Sequence, residues 1–170
     1  MTGNPDKLWE SSWETYYDSF YYEIVLGKVI SRWKLFDLAT KILVAITATG
    51  STVAGWSLWS DPDFKNIWIT VAAIASLLSI IHAVVQVQSI LEKLSEFRVK
   101  FSNLRVSIET FRQDLTIYPQ FNVDEKYVEY KKFREKFKEF VSNYSEDILL
   151  TKKLDEKAQD ELNAKLGVSA

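Results

Sequence analysis

Two stretches of this chain contain no charged residue at all: 42–60 and 66–91. Everything else follows from where those stretches sit. A bilayer's hydrocarbon core is about 30 Å thick and needs roughly 20 mostly apolar helical residues to cross it, so each stretch is long enough to span. Soluble core helices of that length carry a charged face, and these do not. The first stretch is no secretory signal, because a charged and aromatic segment of some forty residues precedes it. The expectation is an all-α membrane protein: a two-span transmembrane helical hairpin, with long coiled-coil-like helices in the cytosol. The segments are 1–34, an aromatic amphipathic helix; 35–91, the hairpin, with spans about 38–60 and 66–88; and 92–170, a cytosolic helical region.

Charge sets the orientation. Lys28, Arg32, Lys34 and Lys41 lie before or at the start of the first span, and Lys93, Arg98, Lys100 and Arg105 follow the second. The connecting "SDPDFK" holds Asp61, Asp63 and one lysine. By the positive-inside rule both termini lie in the cytoplasm. Trp56, Trp59 and Trp68 then mark the outer interface and Trp33 the inner one. Asp61 and Asp63 are outer-loop residues, and their place beside Pro62 is that of turn formers. They invite comparison with an acidic-loop cation channel such as the mitochondrial calcium uniporter, but that channel's Trp-Asp and Glu-Pro pore pairs are missing.

The chain has no cysteine and a single histidine, which removes thiolate metal sites, disulfides and cysteine nucleophiles. There is no glycine-rich phosphate loop and no serine-histidine pairing with recognisable context. Neither an enzyme, nor a metal site, nor a cofactor is expected.

Polar residues inside the second stretch are spaced with purpose. Ser79, His82, Gln86, Ser89 and Lys93 follow 3-4 spacing and stack on one helix face, which Ala75 and Ala72 continue towards the loop. Polar groups in hydrocarbon face a bundle interior or a water-filled cavity. Ser79, His82, Gln86 and Ser89 are therefore candidate pore-lining residues; hydrogen bonding across the hairpin or between copies is the competing reading. Thr47, Ser51 and Gly55 repeat every fourth residue on the first span, as do Ala75, Ser79 and Ala83 on the second. Such small-residue runs let helices approach closely. Two helices cannot enclose a channel, so a pore needs several copies around an axis.

Helical patterning continues outside the hairpin. No proline or glycine interrupts 67–115, which predicts one continuous helix leading out of the second span. Along it Val87, Ile90, Leu94, Phe97, Phe101, Leu104, Ile108, Phe111 and Leu115 keep 3-4 apolar spacing, the pattern of a coiled-coil or bundle seam. Pro119 ends it. Tyr130, Phe133, Phe137, Phe140 and Tyr144 form a second stripe, expected to lie antiparallel along the first. The aromatic face of Trp9, Trp13, Tyr16, Phe20 and Ile24 makes a third partner, and Leu150, Leu154, Ala158 and Leu162 line one side of a terminal helix. The basic run "KKFREKFK" at 131–138 reads as a solvated helix face; direct contact with nucleotide or nucleic acid is not expected.

The arrangement as a whole resembles a known family. The aromatic helix "YYDSFYYEIVLGKVISRWKLFDLATKILVAI" runs into "TATGSTVAGWSLW", then a short loop, a second span and a helical tail. This is similar to the SLATT family, two-transmembrane effectors that associate with SMODS nucleotidyltransferases and SLOG nucleotide sensors. The resemblance covers roughly residues 9 to 165. It implies a bacterial inner-membrane protein of an antiphage defence system, forming membrane pores that arrest or kill infected cells. Its implied partners are the lipid bilayer, further copies of itself and a nucleotide-signalling or sensor protein. No fused sensor domain is expected in these residues, so the signal would arrive through a partner or the helical tail. A non-conducting membrane anchor that recruits a soluble partner through its cytosolic helices is the alternative.

Overall fold

The computed structural model describes residues 4–50, 62–118, 120–144 and 149–168, without the side chains of 47–50, 62–65, 68, 82 and 83. The described residues are all-α: α1 (Pro5–Gly50), α2 (Pro62–Val85), α3 (Val87–Ile117), α4 (Val123–Asn143) and α5 (Lys152–Leu166). The chain divides into two compact units. Met1–Ile30 and Lys93–Ala170 form a terminal unit, and Ser31–Glu92 a central one.

The helix ends follow local chemistry. Asn122 caps α4: its side chain accepts from the backbone N–H groups of Asp124 and Glu125, and those two acids sit favourably in the first turn. Gly167 ends α5 with φ 65°, a left-handed conformation that glycine adopts without a Cβ clash, and its N–H donates to the Asn163 carbonyl.

In the terminal unit α3 supplies the spine. Leu94, Phe97, Phe101, Leu104, Ile108, Phe111 and Leu115 are all buried. Ring contacts fix α4 antiparallel to it: Phe97 meets Tyr144 at 6.0 Å, Phe101 meets Phe140 at 5.7 Å, and Phe111 meets Phe133 at 5.7 Å. The first part of α1 runs parallel to α4. Its Thr15 hydroxyl lies 2.9 Å from the Tyr130 hydroxyl, and its Tyr22 ring 5.9 Å from Phe137. Leu154, Ala158 and Leu162 bury one side of α5. Tyr17 donates to Asn163, Tyr21 to Asp155, and Lys28 pairs with Glu161 at 2.6 Å, tying α5 to α1.

The buried face of α1 is wider than the aromatic face that spacing picks out. Tyr16 and Ile24 of that face are buried, Trp13 and Phe20 are half-buried and pack on the core, Trp9 is exposed, and beside them a fully buried line runs through Ser12, Thr15 and Ser19. Where three helices converge, small side chains let the backbones close in and the rings flank the contact. The hydroxyls are not orphaned. Ser12 donates to the Trp9 carbonyl, Thr15 to that of Ser11 and Ser19 to that of Thr15.

A second correction concerns the continuous helix from Ile67 to Leu115. It is broken at Gln86, which has φ 49° although it is not glycine. The Gln86 carbonyl accepts from the N–H of Ser89 at 2.8 Å and of Ile90 at 3.3 Å, opening α3 anew. Val84, Val85 and Val87 surround the break, and β-branched side chains lower helix propensity at the place where a turn must give.

Among the described residues no helix is long and apolar enough to cross a membrane. The first expected span, 38–60, runs into 51–61, outside the described residues, and the second, 66–88, contains the Gln86 break.

Candidate functional site

The central unit wears its apolar side chains outside. On α1, Leu35, Leu38, Ile42 and Ile46 are exposed; on α2, Ile67, Leu77, Ile80 and Val84 are, the last at 75%. Large contiguous apolar surface on a protein marks an interaction with lipid or with another protein. Among the described residues of this unit the fully buried positions are few. Thr40 and Ala75 are buried, as are Trp33 and Val87 at either end of the unit.

Hydroxyls within the same helices turn back on their own backbone. Thr40 donates to the Phe36 carbonyl at 2.9 Å, Thr70 to Asn66 at 2.9 Å, and Ser76 to Ala72 at 2.8 Å. That satisfies the donor of each hydroxyl within its own helix, which lowers the cost of an apolar surrounding.

Ser79, Gln86 and Ser89 are different: their side chains are exposed on the outside of the unit. Ala75, which the spacing puts on the same face as Ser79, is buried. The Gln86 break also divides the stripe between two helices, Ser79 on α2 and Ser89 on α3. His82 and Ala83 lie in α2, and Thr47 in α1, with side chains outside the description; so does Asp63, at the start of α2. Ser51, Gly55, Trp56, Trp59 and Asp61 fall outside the described residues, as does the side chain of Trp68. Of the seam positions, Ile90 is half-buried, and the rest, from Leu94 to Phe111, are the α3 core described above.

The terminal unit carries a feature that apolar spacing misses. The Arg112 guanidinium lies 3.8 Å from the centre of the Trp9 ring and 5.0 Å from that of Trp13. It donates to the Trp9 carbonyl at 2.8 Å and to the Ser12 hydroxyl at 2.9 Å. Burial pushes Arg112 below the usual guanidinium value. The signal in the sequence was the i, i+4 tryptophan pair, which offers a slot for one planar cation. A shallow groove of about 380 Å³ opens beside it, lined by Trp9, Trp13, Gln113 and Lys165 among others.

On α4, Lys131, Lys132, Arg134, Lys136 and Lys138 are exposed, while Phe133 and Phe137 between them turn inward. A hollow of about 550 Å³ runs along Tyr127, Lys131, Arg134 and Lys138. Among the described residues no group of three histidine, cysteine or acidic side chains is placed to hold a metal ion.

Comparison with known proteins returns no match, neither a family model nor a curated protein nor a solved structure. The functional reading therefore rests on this chain's own residues.

Proposed function

We propose that this chain is a homo-oligomeric pore-forming effector of the bacterial inner membrane, of the SLATT kind, acting in antiphage defence to arrest or kill infected cells. Both termini face the cytoplasm, the central unit crosses the bilayer as a hairpin, and the terminal unit receives the signal from a nucleotide-signalling partner. One observation carries the pore reading. The central unit combines exposed apolar side chains on α1 and α2 with exposed Ser79 on α2, Gln86 at the break and Ser89 at the start of α3. Lipid solvates the first set and cannot solvate the second. Copies assembled around an axis meet both needs, with apolar side chains outward to lipid and the polar ones towards a wet centre.

The test measures dye leakage and oligomer mass together, on purified protein in vesicles. Ser79→Leu, His82→Leu and Ser89→Leu should leave the oligomer intact and cut leakage, because a hydrophobic constriction closes a pore by dewetting. Ile81→Leu, apolar for apolar, should change neither. Variants that assemble and leak as freely as the parent would show that these residues do not line the path. A parent that assembles without leaking would point to the anchor instead.

A further inference from the structure

The outer surface of the α1–α4 pair carries two charged ridges of opposite sign, side by side. On α1, Glu10, Glu14 and Asp18 recur every fourth residue; on α4, Lys131, Arg134 and Lys138 recur at 3-4 spacing. The two ridges are level. The Thr15 hydroxyl meets the Tyr130 hydroxyl at 2.9 Å and accepts from Arg134 at 3.3 Å, which fixes this part of α1 against this part of α4. Within the chain the ridges meet only where half-buried Asp18 faces Arg134, and the rest of each ridge is left without a counter-charge from the other. Among the described residues Glu10, Glu14 and Lys138 are in no ion pair, and Lys131 makes only a 3.9 Å bridge along its own helix to Glu135. Tyr127 and Val128, at the start of the basic ridge, are exposed as well.

We infer that this face is where a second copy of the chain docks, through reciprocal pairing of the Glu10–Glu14–Asp18 ridge of one copy with the Lys131–Arg134–Lys138 ridge of the other. The inference rests on the self-association part of the function proposed above, and it assigns that association a surface in the terminal unit. A two-fold axis running along the helices brings α1 of one copy opposite α4 of the next and does the same in return, as an isologous contact requires. Because α1 and α4 are parallel and level within one copy, such an axis keeps the opposed ridges level too. The hollow along the basic ridge gives the acidic ridge somewhere to sit. A polyanion such as nucleic acid is a poorer occupant, since Glu10 and Glu14 would stand against it. Two copies turn the same two ridges into attraction on both sides.

The experiment uses the full-length chain in mild detergent, with oligomer mass and affinity measured at low and high salt. Glu10→Lys with Glu14→Lys, and separately Lys131→Glu with Lys138→Glu, reverse one ridge each at exposed positions. Each double variant should assemble roughly tenfold more weakly than the parent, because like charges then face each other. Mixing the two variants under different tags should restore assembly as a heteromer, and combining all four changes in one chain should restore the homomer. Assembly of the parent should weaken as salt rises. Circular dichroism confirms that every variant is folded. Folded variants that assemble like the parent, or a mixture that shows no rescue, overturn this interface, and the pore reading stands if the parent still leaks. A parent that stays monomeric overturns both.

Discussion

Tyr22 and Phe101 stack face to face, their ring centres 4.8 Å apart and their planes 12° from parallel. They join α1 to α3 at the point where Phe137 and Phe140 of α4 also meet Phe101. Phe101 is fully buried, so its truncation removes contacts to three rings at once. Phe101→Ala should destabilise the bundle by about 3–5 kcal/mol, and Phe101→Leu by less. A double-mutant cycle with Tyr22→Leu should recover a coupling of ~0.5–1.5 kcal/mol for the ring pair. Denaturant unfolding followed by near-ultraviolet circular dichroism measures all three.

The hydroxyl line of α1 makes a prediction that runs against hydrophobicity. Ser19 is fully buried and donates to the Thr15 carbonyl at 2.6 Å. Ser19→Leu adds apolar surface to a buried site, yet there is no room for it, and overpacking should destabilise by ~1–3 kcal/mol. Ser19→Ala should be close to neutral, because the hydroxyl satisfies only its own helix. Thermal melts of the two variants separate space from polarity.

How much of this was legible in the sequence depends on what a side chain does. The all-α class was readable, since long 3-4 patterns without proline or glycine leave no other regular structure. The phenylalanines and leucines of α3 announce a buried face by their size. Ser12, Thr15 and Ser19 keep the same spacing, but small polar residues read equally well as solvent-facing until three helices are known to converge on them. The Trp9–Trp13 pair offers a slot for a cation, but spacing alone does not say that Arg112, about a hundred positions away, fills it. Gln86 left no mark of its own: a left-handed non-glycine residue looks like any other, and the valines around it only weaken the helix. The polar stripe shares one face on a straight helix, and the Gln86 break divides it between two helices.

The Gln86 break predicts its own response to substitution. Left-handed backbone costs a residue with a Cβ roughly 1–2 kcal/mol, and a β-branched side chain more. Gln86→Gly should therefore hold the broken form and Gln86→Val should drive α2 and α3 into one helix. The chain has no cysteine, so Leu77→Cys with Glu92→Cys can be spin-labelled without interference. A continuous helix would put those positions about 22 Å apart at 1.5 Å per residue. The Gln86→Gly protein should keep the parent's shorter distance, and the Gln86→Val protein should move to the longer one. A parent already at the straight-helix distance would count against the break.

Two carboxylates of the terminal unit should respond to acid in opposite directions. Glu161 accepts from Lys165 at 2.8 Å and from Lys28 at 2.6 Å, and these two ammonium groups hold its carboxyl down to about 2. A depressed folded-state value means that Glu161 binds its proton more readily once unfolded. Its contribution is present above the usual carboxylate range and is lost as the pH falls through that range towards about 2. The pair is more than a third exposed on the Glu161 side, so solvent screens it, and the loss should stay below ~1 kcal/mol. Asp18 is shifted upwards, chiefly by burial, with Arg134 opposing and Glu14 adding to it. Its folded form takes up the proton first, so this site gains stability as the pH falls through its raised value. Unfolding free energies measured from pH 7 down to pH 3 should then diverge between variants. Glu161→Gln should lower stability at pH 7 and flatten the decline in acid, whereas Asp18→Asn should raise stability at pH 7 and steepen it. High salt should shrink the Glu161 effect more than that of Asp18, because an exposed ion pair is screened and a burial penalty is not. Equal slopes in both variants and the parent would mean that neither carboxylate is perturbed in the folded protein.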